Sequence, residues 1–172
     1  MNLSYIRCIG LFLLIGFSLF TDLRNKKIPN TITITGMIFG IGINTIIAGM
    51  GGLQDSIKGM IVAFVFTIVP FIIGGIGGGD LKLLLAVGAL MGMSFVVMAL
   101  AYTAATGAVI AIILSIYYKR LRISLRNIKN YLLCTILTQK LVVIEQKEQP
   151  VYFPYSVAIA IGSVAAFFNN LL

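Results

Sequence analysis

The sequence has no histidine, no tryptophan, and only 2 cysteines and 5 acidic residues among its 172 positions. Each shortage closes a chemical route. Without histidine there can be no H-E-x-x-H zinc site, and no imidazole base to activate a serine or cysteine nucleophile. Cys8 and Cys134 form no CxxC and no ligand set, and they read as inert thiols. No phosphate loop of the form GxxxxGK[ST] is present. The run "GGIGGGDLK" (74–82) resembles neither that loop nor a dinucleotide fingerprint, because Gly75, Gly77 and Asp80 break the required spacing. No metal and no cofactor is expected. If the chain is an enzyme, carboxylates must do its chemistry.

Charge is also scarce. Only 10% of residues are charged and 59% are hydrophobic, with a mean hydropathy of +1.05. A soluble domain runs nearer 45–50% apolar and about 25% charged, so the composition is that of an integral membrane protein. The length suits a single membrane-embedded domain over residues 1–172. The opening run "MNLSYIRCIGLFLLIGFSLF" has no small-residue cleavage site and is followed by further apolar runs. It is expected to be a retained first helix rather than a signal peptide.

A helix needs about 20 apolar residues to cross a bilayer. Candidate spans are 3–20, 31–49, 57–76, 81–93, 95–118 and 153–171. The fourth and fifth come from one apolar stretch, 81–118, which is too long for one helix. A turn is predicted at "GMS" (92–94), and the short fourth span is expected to reach back into the glycine run. The expected fold is therefore all-α and polytopic, with six transmembrane helices.

The formal net charge is +8, and the positions of the basic residues orient the chain. With loop 21–30, junction 77–82 and loop 119–152 on the cytoplasmic side, eleven of the thirteen Lys and Arg residues lie there. Only Arg7 and Lys58 remain outside. Both termini are then extracytoplasmic, and the basic loops meet anionic headgroups of the cell membrane. The basic residues fall where topology wants them, so nucleic acid is not an expected partner. Within 119–150, Leu121, Leu125, Ile128 and Leu132 recur at helical spacing beside a stripe of Arg122, Arg126 and Lys129. That pattern predicts an amphipathic cytoplasmic segment between the fifth and sixth helices.

Five acids remain to be sorted. Glu145 and Glu148 flank Lys147 in a polar run, and Asp55 falls in the predicted external turn 49–58 beside Lys58. Asp22 ends the first span and Asp80 begins the fourth, so the parity of the spans brings both to one face. An ionisable residue at the edge of a span is a functional hypothesis by default. Two carboxylates that meet can share a proton, one activating a water and the other protonating a carbonyl oxygen. Gly77 and Gly79 offer freedom of φ and close backbone approach, and irregular backbone at this depth fits where it lines a watery cavity. Taken alone, the glycines read more readily as a hinge, or as small-residue packing of Gly74 on Gly78 and Gly75 on Gly79, than as part of a site. The adjoining Asp80 favours the site.

These residues resemble a family. Gly77-Gly78-Gly79-Asp80 with Lys82 is similar to the GxGD-x-K motif of the type IV prepilin peptidases, which are membrane aspartic endopeptidases. "TDLRNKKIPN" (21–30) resembles their other aspartate motif, and "FPYSVAIAIG" (153–162) resembles a segment of their short Flp/Tad-type forms. The resemblance implies that Asp22 and Asp80 are the catalytic pair, with Gly77, Gly79 and Lys82 beside them. It also implies cleavage of a basic leader from prepilin or pseudopilin precursors at the cytoplasmic face. Longer members carry a methyltransferase region with paired CxxC motifs, for which this sequence has no room, so cleavage without N-methylation is expected. Ser156 stands where the short forms often have glycine. Because a basic leader would be repelled by basic side chains, Arg24, Lys26 and Lys27 are expected to meet lipid headgroups while the acids face the substrate. Two other readings compete: a small ion channel or transporter with a cation held by the acids, and a related GxGD peptidase acting on preflagellin-type substrates.

Overall fold

The computed structural model describes residues 3–117 and 155–169. Among the described residues there are five helices and no strand: α1 (Leu3–Asn25), α2 (Asn30–Ile72), α3 (Gly78–Met91), α4 (Met93–Tyr117) and α5 (Tyr155–Asn169). The all-helical class read from the sequence is observed. The segment 119–150, with Cys134, Glu145 and Glu148, lies outside the described residues.

A straight helix of 43 residues would extend about 65 Å, roughly twice the hydrocarbon thickness of a bilayer. The second helix avoids this by reversing at Ala48 (φ −128°, ψ 16°) and Gly49 (φ 57°, ψ −136°). The positive φ explains the glycine there. The reversal is visible in a hydrogen bond from Asn44 Nδ2 to Ser56 Oγ at 2.8 Å. Residues 12 positions apart would be separated by about 18 Å along a straight helix. The two limbs, 30–47 and 50–72, therefore run antiparallel. The sequence predicts a ten-residue external turn here, and the structure needs only two residues. Asp55 consequently sits on a helix rather than in a loop. Its Oδ1 accepts a hydrogen bond from the Met93 backbone N–H at 3.2 Å, capping the start of α4.

The third helix lies between these two limbs. At one end, Gly40 rests on the Leu90 backbone and Gly59 on the Gly88 backbone. At the other, Lys82 Nζ donates to Asn30 Oδ1 at 2.9 Å, and Gly78 faces the Phe71 ring. One limb thus runs parallel to α3 and the other antiparallel. Such close approach needs residues without side chains, the usual currency of helix packing in hydrocarbon. A Cβ on Gly40 would stand 2.7 Å from the Leu90 Cα. The turn predicted at 92–94 is a single residue, Gly92 (φ 82°), between α3 and α4.

The first helix crosses this unit with Gly36 against the Leu14 side chain, and Arg7 Nη1 reaches Asn44 Oδ1 at 3.4 Å. The fifth packs on α4, where Gly107 accommodates the Tyr155 ring and Gly162 meets Thr103. Large apolar side chains such as Phe12, Phe17, Phe20, Phe66 and Ile113 point outward, while Ala63, Ala86, Ala99 and Ala166 are buried. Three helical stretches, Tyr5–Asn25, Asn30–Ile72 and Met93–Ile113, are long and apolar enough to cross a membrane. At 14 and 15 residues, α3 and α5 fall short of that length.

Candidate active site

One end of the bundle holds a cavity of about 790 Å³. Its wall is built from the end of α1, the connection 25–30 and the glycine run 74–80. The connection is compact because Lys26 (φ 54°) turns the chain out of α1, its N–H donating to the Asp22 carbonyl at 2.8 Å. Pro29 then starts α2. Across the cavity, Gly74 (φ 80°) ends α2 and donates to the Phe71 carbonyl at 3.0 Å.

Asp22 and Asp80, 58 positions apart in sequence, both line this cavity. Asp22 is buried on the last turns of α1 and accepts a hydrogen bond from Ser156 Oγ, at the start of α5. Asp80 lies in the junction ahead of the apolar part of α3. Its Oδ2 accepts from the Gly77 backbone N–H at 3.1 Å, a capping arrangement that satisfies one of the free donors at the helix start. Its Oδ1 is buried without a hydrogen-bond partner among the described residues. Burial pushes the Asp80 carboxyl up to about 6; the Gly77 hydrogen bond pulls against this, and the charge of Asp22 adds to it. Two unequal carboxyls thus face a space large enough for water and a peptide.

The glycines act differently from expectation. Gly77 has φ −79°, which any residue adopts, so its φ is not the reason for a glycine. Space is the reason. A Cβ on Gly77 would stand 3.1 Å from Asp80 Oδ2, and one on Gly79 would stand 3.1 Å from Ile28 Cβ. Nor do the pairs Gly74/Gly78 and Gly75/Gly79 form a helix-packing stripe, because the chain between Ile72 and Gly78 is not helical. Lys82 lies outside the cavity wall and ties α3 to Asn30 instead. Lys26 and Lys27 are part of the cavity wall. Sequence reasoning missed Ser156 as a partner of Asp22 and Asn30 as a partner of Lys82. The only sequence signals were the place of Asn30 in the motif around Asp22 and that of Ser156 in the segment 153–162. Among the described residues, no group of three His, Cys, Asp or Glu side chains could hold a metal.

A family model described as the type IV leader peptidase family matches residues 8–112, from α1 through most of α4. No curated protein and no solved structure matches the chain.

Proposed function

This chain belongs to the type IV leader peptidase family, and from that premise we propose that it is an aspartic endopeptidase of the cell membrane. It removes the basic leader from prepilin or pseudopilin precursors at the cytoplasmic face, without N-methylation. One observation carries the reading: two carboxylates from distant parts of the sequence line one glycine-walled cavity.

The chemistry follows from the pair. An ionised carboxylate takes a proton from a water in the cavity as that water's oxygen bonds to the scissile carbonyl carbon. The protonated carboxyl donates to the carbonyl oxygen, giving a neutral tetrahedral diol. Collapse breaks the C–N bond, and a proton passes to the departing amine. No metal, cofactor or covalent intermediate takes part.

Six crossings of the membrane agree with the six helical limbs formed when α2 folds at Gly49. The ends sort the charges as well. Arg7 and Lys58 lie towards the Asn44 end of the bundle, and Arg24, Lys26, Lys27 and Lys82 lie towards the Asp80 end. The excess of basic residues makes the Asp80 end cytoplasmic.

The test is co-expression with a prepilin-like precursor. Asp22→Asn and Asp80→Asn should each leave the precursor uncut, a loss of at least about 10²–10⁴-fold. Normal processing by either variant removes that residue from the pair. If both variants process normally and proteoliposomes carry ion flux, the transporter reading takes over. Cleavage of a preflagellin-type precursor in preference to a prepilin-like one would redirect the substrate assignment.

A further inference from the structure

The two carboxyls of the cavity differ in their surroundings, and the difference comes from a residue outside both aspartate motifs. Ser156 is the second residue of α5 and is buried, 1% exposed. Its hydroxyl donates to Asp22 Oδ2 from 134 positions away in sequence. Among the described residues Asp80 has no such side-chain donor; it accepts the Gly77 N–H on one oxygen, and the other is buried without a hydrogen-bond partner. A donor aimed at a carboxylate stabilises its anion, whereas a buried oxygen with no donor is better placed to carry a proton. From this geometry we propose that Ser156 is a positioning residue that makes the pair asymmetric, with Asp22 the ionised base that activates water and Asp80 the acid that protonates the carbonyl oxygen.

The inference rests on the aspartic peptidase reading and assigns roles within it. In the catalytic step the water loses its proton to Asp22 as its oxygen bonds to the carbonyl carbon. The Asp80 proton passes to the carbonyl oxygen, and the diol collapses with Asp22 returning a proton to the amine while Asp80 takes one back from a diol hydroxyl. Other charged and titratable groups stand near: Lys26 and Lys27 from the connection and Asp80 from α3 line the same space, and Tyr155 from α5 feels the charge of Asp80. Lys82 is engaged by Asn30, and the charged residues of α2, Asp55 and Lys58, belong to its opposite end. The Ser156 hydroxyl meets an Asp22 oxygen directly.

The experiment is the pH–rate profile of leader cleavage by the full chain in detergent, with one prepilin-like precursor as probe throughout. Ser156→Ala is expected to retain cleavage at its optimum, with the acid limb of the profile moved up by about one pH unit and the alkaline limb in place. Ser163→Ala is the control. It removes a buried hydroxyl from the same helix, one with no hydrogen-bond partner among the described residues, and should leave both limbs unchanged. Thermal unfolding of both variants tests whether the fold is retained, and Ser156→Thr, which restores a hydroxyl, should return the acid limb towards wild type. A Ser156→Ala profile that superimposes on wild type overturns the role of Ser156, as does movement of the alkaline limb alone. These outcomes are separable from failure of the underlying reading, in which Asp22→Asn or Asp80→Asn would continue to cut.

Discussion

Replacing Asp80 by asparagine should make the protein more stable at neutral pH while removing its activity. The carboxyl is raised from its ordinary 3.8 to about 6, chiefly by burial. The folded chain therefore binds that proton more tightly than the unfolded chain does. The associated stability is fully present below pH 3.8 and is lost as pH rises to about 6, after which the loss is constant. At ~1.4 kcal/mol per pH unit the total is about 3 kcal/mol, and partial solvent access reduces it to about 2–3 kcal/mol. Asparagine keeps an oxygen to accept the Gly77 N–H and carries no charge to bury. For a chain of this size, 1 kcal/mol moves a thermal midpoint by about 2–4 °C, so Asp80→Asn should unfold roughly 4–12 °C above wild type at pH 7.5. At pH 4 the difference should shrink to less than about 1 kcal/mol, since both side chains are then neutral. The assay is thermal unfolding of the two proteins in the same detergent at both pH values, with identical scan rates because unfolding of such proteins is often irreversible. An equal difference at the two pH values, or a variant less stable at pH 7.5 than wild type, would refute the reasoning. Stability withheld at a working residue is a common pattern in enzymes.

Two further perturbations test the scaffold. Gly40→Ala would drive a Cβ to within 2.7 Å of the Leu90 backbone, which cannot rotate away, so a loss of about 1–3 kcal/mol is expected in thermal unfolding. A variant as stable as wild type would mean that α2 and α3 do not approach as closely as described. Asn44→Ala removes the amide that donates to Ser56 Oγ and to the Ala89 and Leu90 carbonyls at 3.0 and 3.1 Å. Those carbonyls belong to the last turn of α3, and leaving them buried and unpaired should cost about 1–3 kcal/mol by the same measurement.

The apolar runs made the helical class legible because hydrocarbon accepts little else as a spanning element. The two acids were legible for a related reason, since scarce charges at span edges stand out. What escaped was set by contacts between distant positions. Nothing local in "AGMGGLQDSIK" distinguishes a ten-residue loop from a two-residue reversal; the Asn44–Ser56 bond and the packing of Gly52 on the Asn44 carbonyl decide it. Lys82 entered the site through the GxGD-x-K resemblance, and only the folded chain shows its amine meeting Asn30. Ser156 gave no signal by itself, because a serine in an apolar helix is unremarkable until its partner from α1 is known.

The 14 residues of α3 cover about 21 Å, some 9 Å less than the hydrocarbon of an average bilayer. The 790 Å³ cavity opens at the end where this helix begins. On the proposed six-crossing topology the shortfall would be a built-in hydrophobic mismatch, with an aqueous inlet where acyl chains would otherwise reach. Membrane thickness becomes a working parameter of the protein: a thicker bilayer must thin around α3 or cover the inlet, at a cost of fractions of a kcal/mol per Å of mismatch.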